Sequence, residues 1–293
     1  MGAPSDGVLR LEADGASARI ALVGAEPVSW RVGDRELIWE GDPAHWARHA
    51  PILFPVVGAS AAGTVRVGPQ SYPMPQHGFA RDSLFTIEEQ AGDFVRLKLV
   101  ESDETWRHFP FRFILDIGIT LRPDSLSLVF VVTNTDTSDM PYAIGFHPAF
   151  PWPFDAEGRN GHTIEFEHEE NPEVPGISKE GLLVERGRRL PLDGRRLALD
   201  PKLFTEALVF REAKSRSLSF RSPSGASIKM EVEDLPHLAL WTRPKAPFLS
   251  MEAWTGHADP EGFSGDLFAR PSMRQLHSGH EARHALTLRW HEG

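Results

Sequence analysis

Phe111-Arg112-Phe113-Ile114-Leu115-Asp116-Ile117-Gly118-Ile119-Thr120-Leu121-Arg122, then Pro123-Asp124, then Ser125-Leu126-Ser127-Leu128-Val129-Phe130-Val131-Val132, is the stretch whose reading decides the fold. Every odd position from Phe111 to Leu121 is large and apolar, whereas Arg112, Asp116, Thr120 and Arg122 fall on even ones. Period two means an extended chain with one dry face and one wet face. After Pro123-Asp124 the pattern resumes at Leu126, Leu128, Phe130 and Val132, so residues 111–133 predict a long antiparallel hairpin with a type I-like connection.

The same pattern predicts strands over 17–23, 84–90, 94–101, 162–167, 217–221, 227–233, 237–242, 247–253 and 284–290. Helical windows are scarce. Pro43-Ala44-His45-Trp46-Ala47-Arg48 opens with a proline suited to a first turn, and Pro201-Lys202-Leu203-Phe204 reads as a single turn. The 24 prolines and 25 glycines are spread as punctuation, without a linker-like cluster or repeat. The expected fold class is therefore all-β, a single large antiparallel β-sandwich with few short helices, one domain over 1–293. Residues 150–195, rich in Pro, Gly and charge, are expected to form long loops.

Composition limits the function. A chain of 293 residues, 41% hydrophobic and 25% charged, can bury a substantial core. A net charge of -10 argues against nucleic acid or an anionic membrane surface as partner. With no cysteine, a disulfide framework, a zinc-thiolate site and a thiol nucleophile are all excluded. Residues 1–10 have neither a basic nor an apolar leader-like segment, and no apolar run approaches the length of a membrane span. The expectation is a cytoplasmic protein.

His280-Glu281-Ala282-Arg283-His284 satisfies H-E-x-x-H, the pattern that places two zinc ligands one helical turn apart. Its context is wrong: Ser278-Gly279 reads as a turn, and Ala285-Leu286-Thr287-Leu288-Arg289-Trp290 alternates as a strand. An extended backbone does not bring two such histidines to one metal, so no metal site is assigned. Gly58-Ala59-Ser60-Ala61-Ala62 lacks the final glycine of a nucleophile elbow, and no glycine cluster forms a nucleotide fingerprint. No cofactor is expected.

Four segments carry the remaining chemistry: Gln76-His77-Gly78-Phe79-Ala80-Arg81, Ile144-Gly145-Phe146-His147-Pro148, Leu240-Trp241, and Met251-Glu252-Ala253-Trp254-Thr255-Gly256. They supply two imidazoles, a carboxylate, a guanidinium and aromatic faces, the means to handle a sugar by acid and base chemistry. Each has a plainer reading. His77 alone could be a hydrogen-bonded loop residue, and His147, ending an apolar run before Pro148, could be a core histidine or a catalytic one. Glu252 alternates with Leu249 and Met251, so it points away from them, into solvent or into a cleft. Trp241 could be core, or a face stacked on the C–H surface of a pyranose.

These segments, with His49-Ala50-Pro51-Ile52-Leu53-Phe54-Pro55-Val56-Val57-Gly58 and Gly145-Phe146-His147-Pro148-Ala149-Phe150, resemble the aldose 1-epimerase (galactose mutarotase-like) family, in particular its bacterial LacX-like branch. The resemblance runs in order over about residues 8–290. It implies a galactose mutarotase-like supersandwich with the site in a groove on one sheet, and interconversion of the α and β anomers of a free aldose. It implies Glu252 as base on the C1 hydroxyl, His147 as acid on the ring oxygen, and His77, Arg81, Trp241 and Glu206 as substrate-binding residues. The partner is then a small-molecule sugar, bound by a monomer or homodimer.

Two departures stand out. Where relatives carry an arginine after the Val-Gly step, this chain has Ala59, and the usual Glu-Pro-Trp is Glu252-Ala253-Trp254. The missing guanidinium keeps open the reading of a non-catalytic carbohydrate-binding protein on the same scaffold; a third reading, a hexose-6-phosphate 1-epimerase, needs convergent cations, for which Arg81 is available but against which the loss of the arginine at 59 and the acidic balance count.

Overall fold

The computed structural model describes residues 7–155 and 158–293. The first six residues, part of the leader-free reading, lie outside them. Among the described residues the frame is a ten-stranded antiparallel sheet packed on a six-stranded one, with a four-stranded sheet from Val8–Ala13 to Arg35–Glu36 at the side.

The deciding hairpin forms as the sequence dictates. Phe113–Arg122 pairs with Ser125–Asn134, Arg122 opposite Ser125, across the two-residue loop Pro123-Asp124. Phe113, Leu115, Ile117, Ile119 and Leu121 are fully buried, as are Leu126, Leu128, Phe130 and Val132. Proline cannot adopt the positive φ of the usual two-residue hairpin turns, and neither loop residue does. This hairpin sits inside the large sheet, flanked by Phe94–Val100 and by Glu281–His291.

Its dry face meets the six-stranded sheet, made of Leu208–Phe210, His237–Trp241, Phe248–Trp254, Gly145–Phe146 and Ile52–Leu53, with Ala149–Pro151 also paired to Phe248–Trp254. Aromatic contacts bridge the two layers: Phe54 with Phe113 at 5.0 Å, Phe130 with Phe146 at 6.4 Å, and Phe166 with Phe210 at 4.9 Å. Each such pair contributes about 0.5–1.5 kcal/mol beyond its buried area. Leu249, Met251 and Ala253 belong to this shared core. Ser250, Glu252 and Trp254 therefore face the opposite side of the sheet.

Most predicted strand ends fall within about two residues of the observed ones; the last strand starts earlier, at Glu281. Two expectations need correction. The 150–195 stretch is not mainly long loop: besides the expected strand, found at Thr163–Phe166 in the large sheet, it holds a separate hairpin of Glu173–Ile177 with Leu183–Arg189. That hairpin escapes a period-two reading because the buried Val174, Pro175 and Gly176 are consecutive, Glu185, Arg186, Arg188 and Arg189 crowd the second strand, and a bulge at Val174/Gly176 shifts the register. Pro43–Arg48 is not a helix but one turn, in which His45 and Trp46 donate to the Asp42 carbonyl and the Asp42 carboxylate accepts from Ala44 N–H. Pro201–Leu203 is the expected single turn, capped by Asp200.

The zinc-like motif lies in extended chain. His280 belongs to the turn, with Nδ1 on the Ser278 carbonyl, while His284 is buried within the last strand. His284 Nε2 meets Tyr142 Oη at 2.9 Å, and Nδ1 donates to the Asp234 carbonyl at 3.0 Å. The imidazole ties the strand end to two other segments. His284→Ala should leave both partners without a bond and lower unfolding free energy by about 1–3 kcal/mol in urea. The loss should be the same with a chelator present; a chelator alone reproducing it would make His284 a metal ligand after all.

Candidate active site

The outward face of the six-stranded sheet carries two small apolar patches. One comprises Leu53, Val57, Ala143, Val209, Ala239 and Trp254; the other comprises Trp39, Ala149, Ala246 and Phe248, with Trp46 and Trp241 packed on it. A cavity of about 500 Å³ opens over this face. His77, Arg81, His147, Glu206, Trp241 and Glu252, the six residues singled out in the sequence, all line it.

One strand builds the floor. Along Phe248–Trp254, Ser250 and Glu252 share a face by period two, and both are buried. His147 arrives from the break between Gly145–Phe146 and Ala149–Pro151, its own N–H held by the Pro51 carbonyl at 3.0 Å. Its Nε2 lies 3.2 Å from Glu252 Oε1, and its Nδ1 lies 2.9 Å from Ser250 Oγ. The Ser250 hydroxyl also reaches the Pro148 carbonyl at 2.7 Å, which can only accept. The hydroxyl therefore gives its proton to Pro148 and accepts from His147 Nδ1–H, leaving Nε2 to face the carboxyl. A bare Nε2 and an ionised carboxylate would repel, so the pair holds one proton between them.

Electrostatics decides where that proton rests. Burial pushes His147 down to about 3, and Arg81 and Arg48 act in the same direction, against a backbone hydrogen bond that favours the charged ring. Burial also pushes the Glu252 carboxyl well above the usual carboxylate range; the Trp254 indole, short of hydrogen-bond geometry, opposes this as the lesser effect. Both shifts put the proton on Glu252 in the sugar-free protein. Glu252 Oε2 is buried without a hydrogen-bond partner among the described residues.

Aromatic rings and cations complete the walls. Trp46 stacks on His147 at 4.9 Å and 30°, and Trp241 meets the same imidazole edge-on at 5.5 Å. His77 stands edge-on to His147 at 5.8 Å. Its Nδ1 accepts from Gly58 N–H at 3.1 Å, so a neutral ring carries its proton on Nε2. Burial, then the neighbouring His147, pushes His77 well below the usual histidine range, which keeps that ring neutral. Arg81 donates to the Gln76 carbonyl at 2.6 Å; burial pushes it to about 10, with Arg48 adding to the shift and Asp82 opposing it. Glu206 is largely occupied: Oε2 accepts Ile177 N–H at 2.7 Å and Oε1 lies 4.0 Å from Arg188, so it anchors the Glu173–Ile177 hairpin at the cavity edge. Among the described residues no group of three or more His, Asp or Glu is placed to hold a metal ion.

Several lining or supporting residues were not marked by sequence. Trp46 lies in the window read as helical, with no site role assigned; Ser250 is two residues before Glu252 on the same face, so alternation could have found it. Lys179 and His257 also line the cavity. The Ala59 departure has a structural counterpart. Ala59 is buried and does not line the cavity, and a Cβ placed on Gly181, in the 178–182 turn, would lie 3.2 Å from its methyl. The room an arginine would need is filled by that turn.

Fold and site together define a galactose mutarotase-like protein, and comparison with known proteins agrees. The aldose 1-epimerase family profile matches residues 7–289. The plasmid-encoded protein LacX of Lactococcus lactis subsp. lactis is 34% identical over 233 residues, 75% of this chain and 78% of LacX. A galactose mutarotase-like protein from Lactobacillus casei superposes with a TM-score of 0.91 at 32% identity, covering 97% of this chain and 100% of that one. A galactose mutarotase related enzyme from Lactobacillus acidophilus gives 0.90 at 27%, covering 97% of each. The chain belongs to the aldose 1-epimerase family.

Two outcomes follow from the geometry. Imidazole ¹⁵N shifts of the sugar-free protein at pH 6 should show His147 uncharged with its proton on Nδ1; a doubly protonated ring would put the resident proton on His147. Ala59→Arg should weaken sugar binding and lower thermal stability, because the new side chain must displace the 178–182 turn; tighter binding would show that the turn yields.

Proposed function

We propose that this protein is an aldose 1-epimerase, interconverting the α and β anomers of a free sugar by acid and base ring opening. The observation that carries this reading is the buried His147–Glu252 couple, 3.2 Å apart and held by Ser250 at the floor of a cavity with aromatic walls. A site that only binds a sugar has no need of an acid and a base that share one proton.

Sugar hydroxyls donated to Glu252 Oε2 favour the carboxylate, and the proton then moves across the 3.2 Å contact to His147 Nε2. From that state Glu252 removes the proton of the C1 hydroxyl while His147 protonates the ring oxygen. The C1–O5 bond breaks, C1 becomes an aldehyde, and rotation about C1–C2 exposes its other face. Ring closure reverses both transfers, and the couple returns with its single proton. His77 Nε2–H and Arg81 supply donors to hydroxyls, while Trp46 and Trp241 supply apolar faces. In this reading the chain works as one domain, since the sheets share one core.

One observation favours an anionic sugar as a second reading. Arg81, Lys179 and Arg243 all line the cavity, which a hexose phosphate or uronate could use. A panel of freshly dissolved aldoses, uronates and hexose 6-phosphates, followed by polarimetry or NMR saturation transfer, separates the two.

Glu252→Gln and His147→Ala should each slow mutarotation by about 100- to 10,000-fold with the fold retained. The pH profile of kcat/KM should be bell-shaped, with both limbs belonging to the couple. Activity falls at low pH as the couple gains a second proton, and at high pH as it loses its only one. If either variant turned over at the wild-type rate, that residue would have no part in proton transfer.

A further inference from the structure

Behind the cavity wall lies a buried ion pair that the proposed chemistry does not use. Arg270 is 3% exposed and Asp259 likewise 3%, with Nε 2.8 Å from Oδ1. The guanidinium is otherwise spent on one loop and its neighbour: Nη1 donates to Ser60 Oγ at 3.1 Å, and Nη2 to the carbonyls of Val57 at 2.9 Å, Ala59 at 3.3 Å and His257 at 2.9 Å. Asp259 answers from the other side. Its Oδ2 accepts Ala61 N–H at 2.7 Å, its N–H donates to the Ala59 carbonyl at 3.0 Å, and its carbonyl accepts Leu183 N–H at 2.9 Å. Residues 57–61, residues 257–259 and the end of the Glu173–Arg189 hairpin are thus tied to a single pair.

What this clasp holds in place is the Gly58 peptide. Gly58 has φ +74 and lies so close to Ala258 that an added Cβ would meet its Cα at 2.6 Å. The clasp grips both sides of that contact, Val57 and Ala59 on one strand of chain, His257 and Asp259 on the other. Gly58 in turn makes a reciprocal pair with His77: its N–H donates to Nδ1 at 3.1 Å and its carbonyl accepts His77 N–H at 2.9 Å. A peptide N–H can only donate, so its direction fixes which ring nitrogen is bare.

We propose that Arg270 is a positioning residue: by locking the Gly58 peptide through the clasp with Asp259, it holds His77 in the tautomer that presents Nε2–H to the sugar. Arg270 does not line the cavity, so it acts through the residues it holds, and of these the Gly58 peptide is the one that sets the His77 tautomer. If the peptide tilts, the imidazole is released to the other tautomer and offers the sugar a bare nitrogen in place of a donor. The cost falls on sugar binding, while the His147–Glu252 couple, held independently by Ser250, keeps its rate. A lysine can retain the charge facing Asp259 but cannot reach four acceptors at once.

The inference rests on the sugar-binding role given to His77 above, so the test has a readout independent of turnover. Ring ¹⁵N shifts should show His77 as the Nε2–H tautomer in the wild type and as a mixture in Arg270→Met, with Arg270→Lys intermediate. KM should rise about tenfold in Arg270→Met, as for the loss of one hydrogen bond, with kcat within about twofold. In a His77→Ala background the same change should add less than about twofold, because its route is already cut. Where Arg270→Met does not fold, Ser60→Ala and Arg270→Lys carry the same test. Leu288→Ala, a core truncation remote from the clasp, controls for lost stability and should leave the His77 tautomer as in the wild type. An unchanged tautomer in the Arg270 variants, or an equal KM effect with and without His77, overturns the proposal. Absence of mutarotation in the wild type would sink the activity assigned above, and the tautomer would still decide this one.

Discussion

The alternation of one strand, Phe248–Trp254, is the constraint on which the rest of the molecule depends. Leu249, Met251 and Ala253 enter the core shared with the ten-stranded sheet, so Ser250, Glu252 and Trp254 must face the other way. A slip of one residue would drive a carboxyl into that core and expose Met251. The register that builds the hydrophobic layer is thus the register that aims the proposed base. Neighbouring strands reinforce it: Leu240 pairs with Met251 and Ala239 with Glu252, while Phe146 pairs with Ala253. The alanine opposite Glu252 leaves room for a buried carboxyl beside the strand.

Burial of that carboxyl would be costly if it stood alone. An isolated ionised group in such surroundings shifts its pKa and becomes neutral instead. Here the neighbouring imidazole offers a place for the proton without sending it to solvent. Desolvation raises one partner and lowers the other, so the couple rests in its uncharged form; in the proposed mechanism, sugar hydroxyls that stabilise the carboxylate make the charged form accessible. Ser250 contributes by fixing the ring: with Nδ1–H committed to the hydroxyl, Nε2 alone exchanges the proton. The same face supplies the holder and one partner, and a loop at a strand break supplies the other.

How much of this was legible in the sequence depends on whether a residue's placement follows from local pattern. Alternation located the strands around Glu252 and the direction of its side chain, and the family resemblance brought His77, Arg81, His147, Trp241 and Glu206 into one proposed site. It did not show that Glu206 is half committed to the Ile177 amide, because that bond depends on a hairpin with no period-two signature. In Glu173–Ile177 the buried Val174, Pro175 and Gly176 run consecutively, Leu183–Arg189 is mostly charged beyond Val184, and a bulge breaks the register, so no alternation marks the pair. Trp46 was hidden for a related reason. Its turn is closed locally, by Asp42 and by Trp39 Nε1 on the Trp46 carbonyl at 2.9 Å, but its ring meets His147 and Trp241, segments far apart in sequence that no window contains.

Ala59 shows why a missing side chain is hard to interpret from sequence alone. Read as a gap, it suggests space in the groove and a lost contact to the sugar. In three dimensions the hairpin turn at Gly181 closes over the alanine, and the nearest guanidinium, that of Arg270, lies behind the loop with its donors on the Val57 and Ala59 carbonyls. The loop offers no side chain that reaches forward at 59, and a clasp grips it from the rear. A buried arginine with its acceptors satisfied and a carboxylate partner is strongly coupled to its surroundings, since removing either partner strands the other. Substitution at 59 therefore cannot be separated from the hairpin, the clasp and the Gly58 peptide, and this wall of the cavity responds as a unit, not residue by residue.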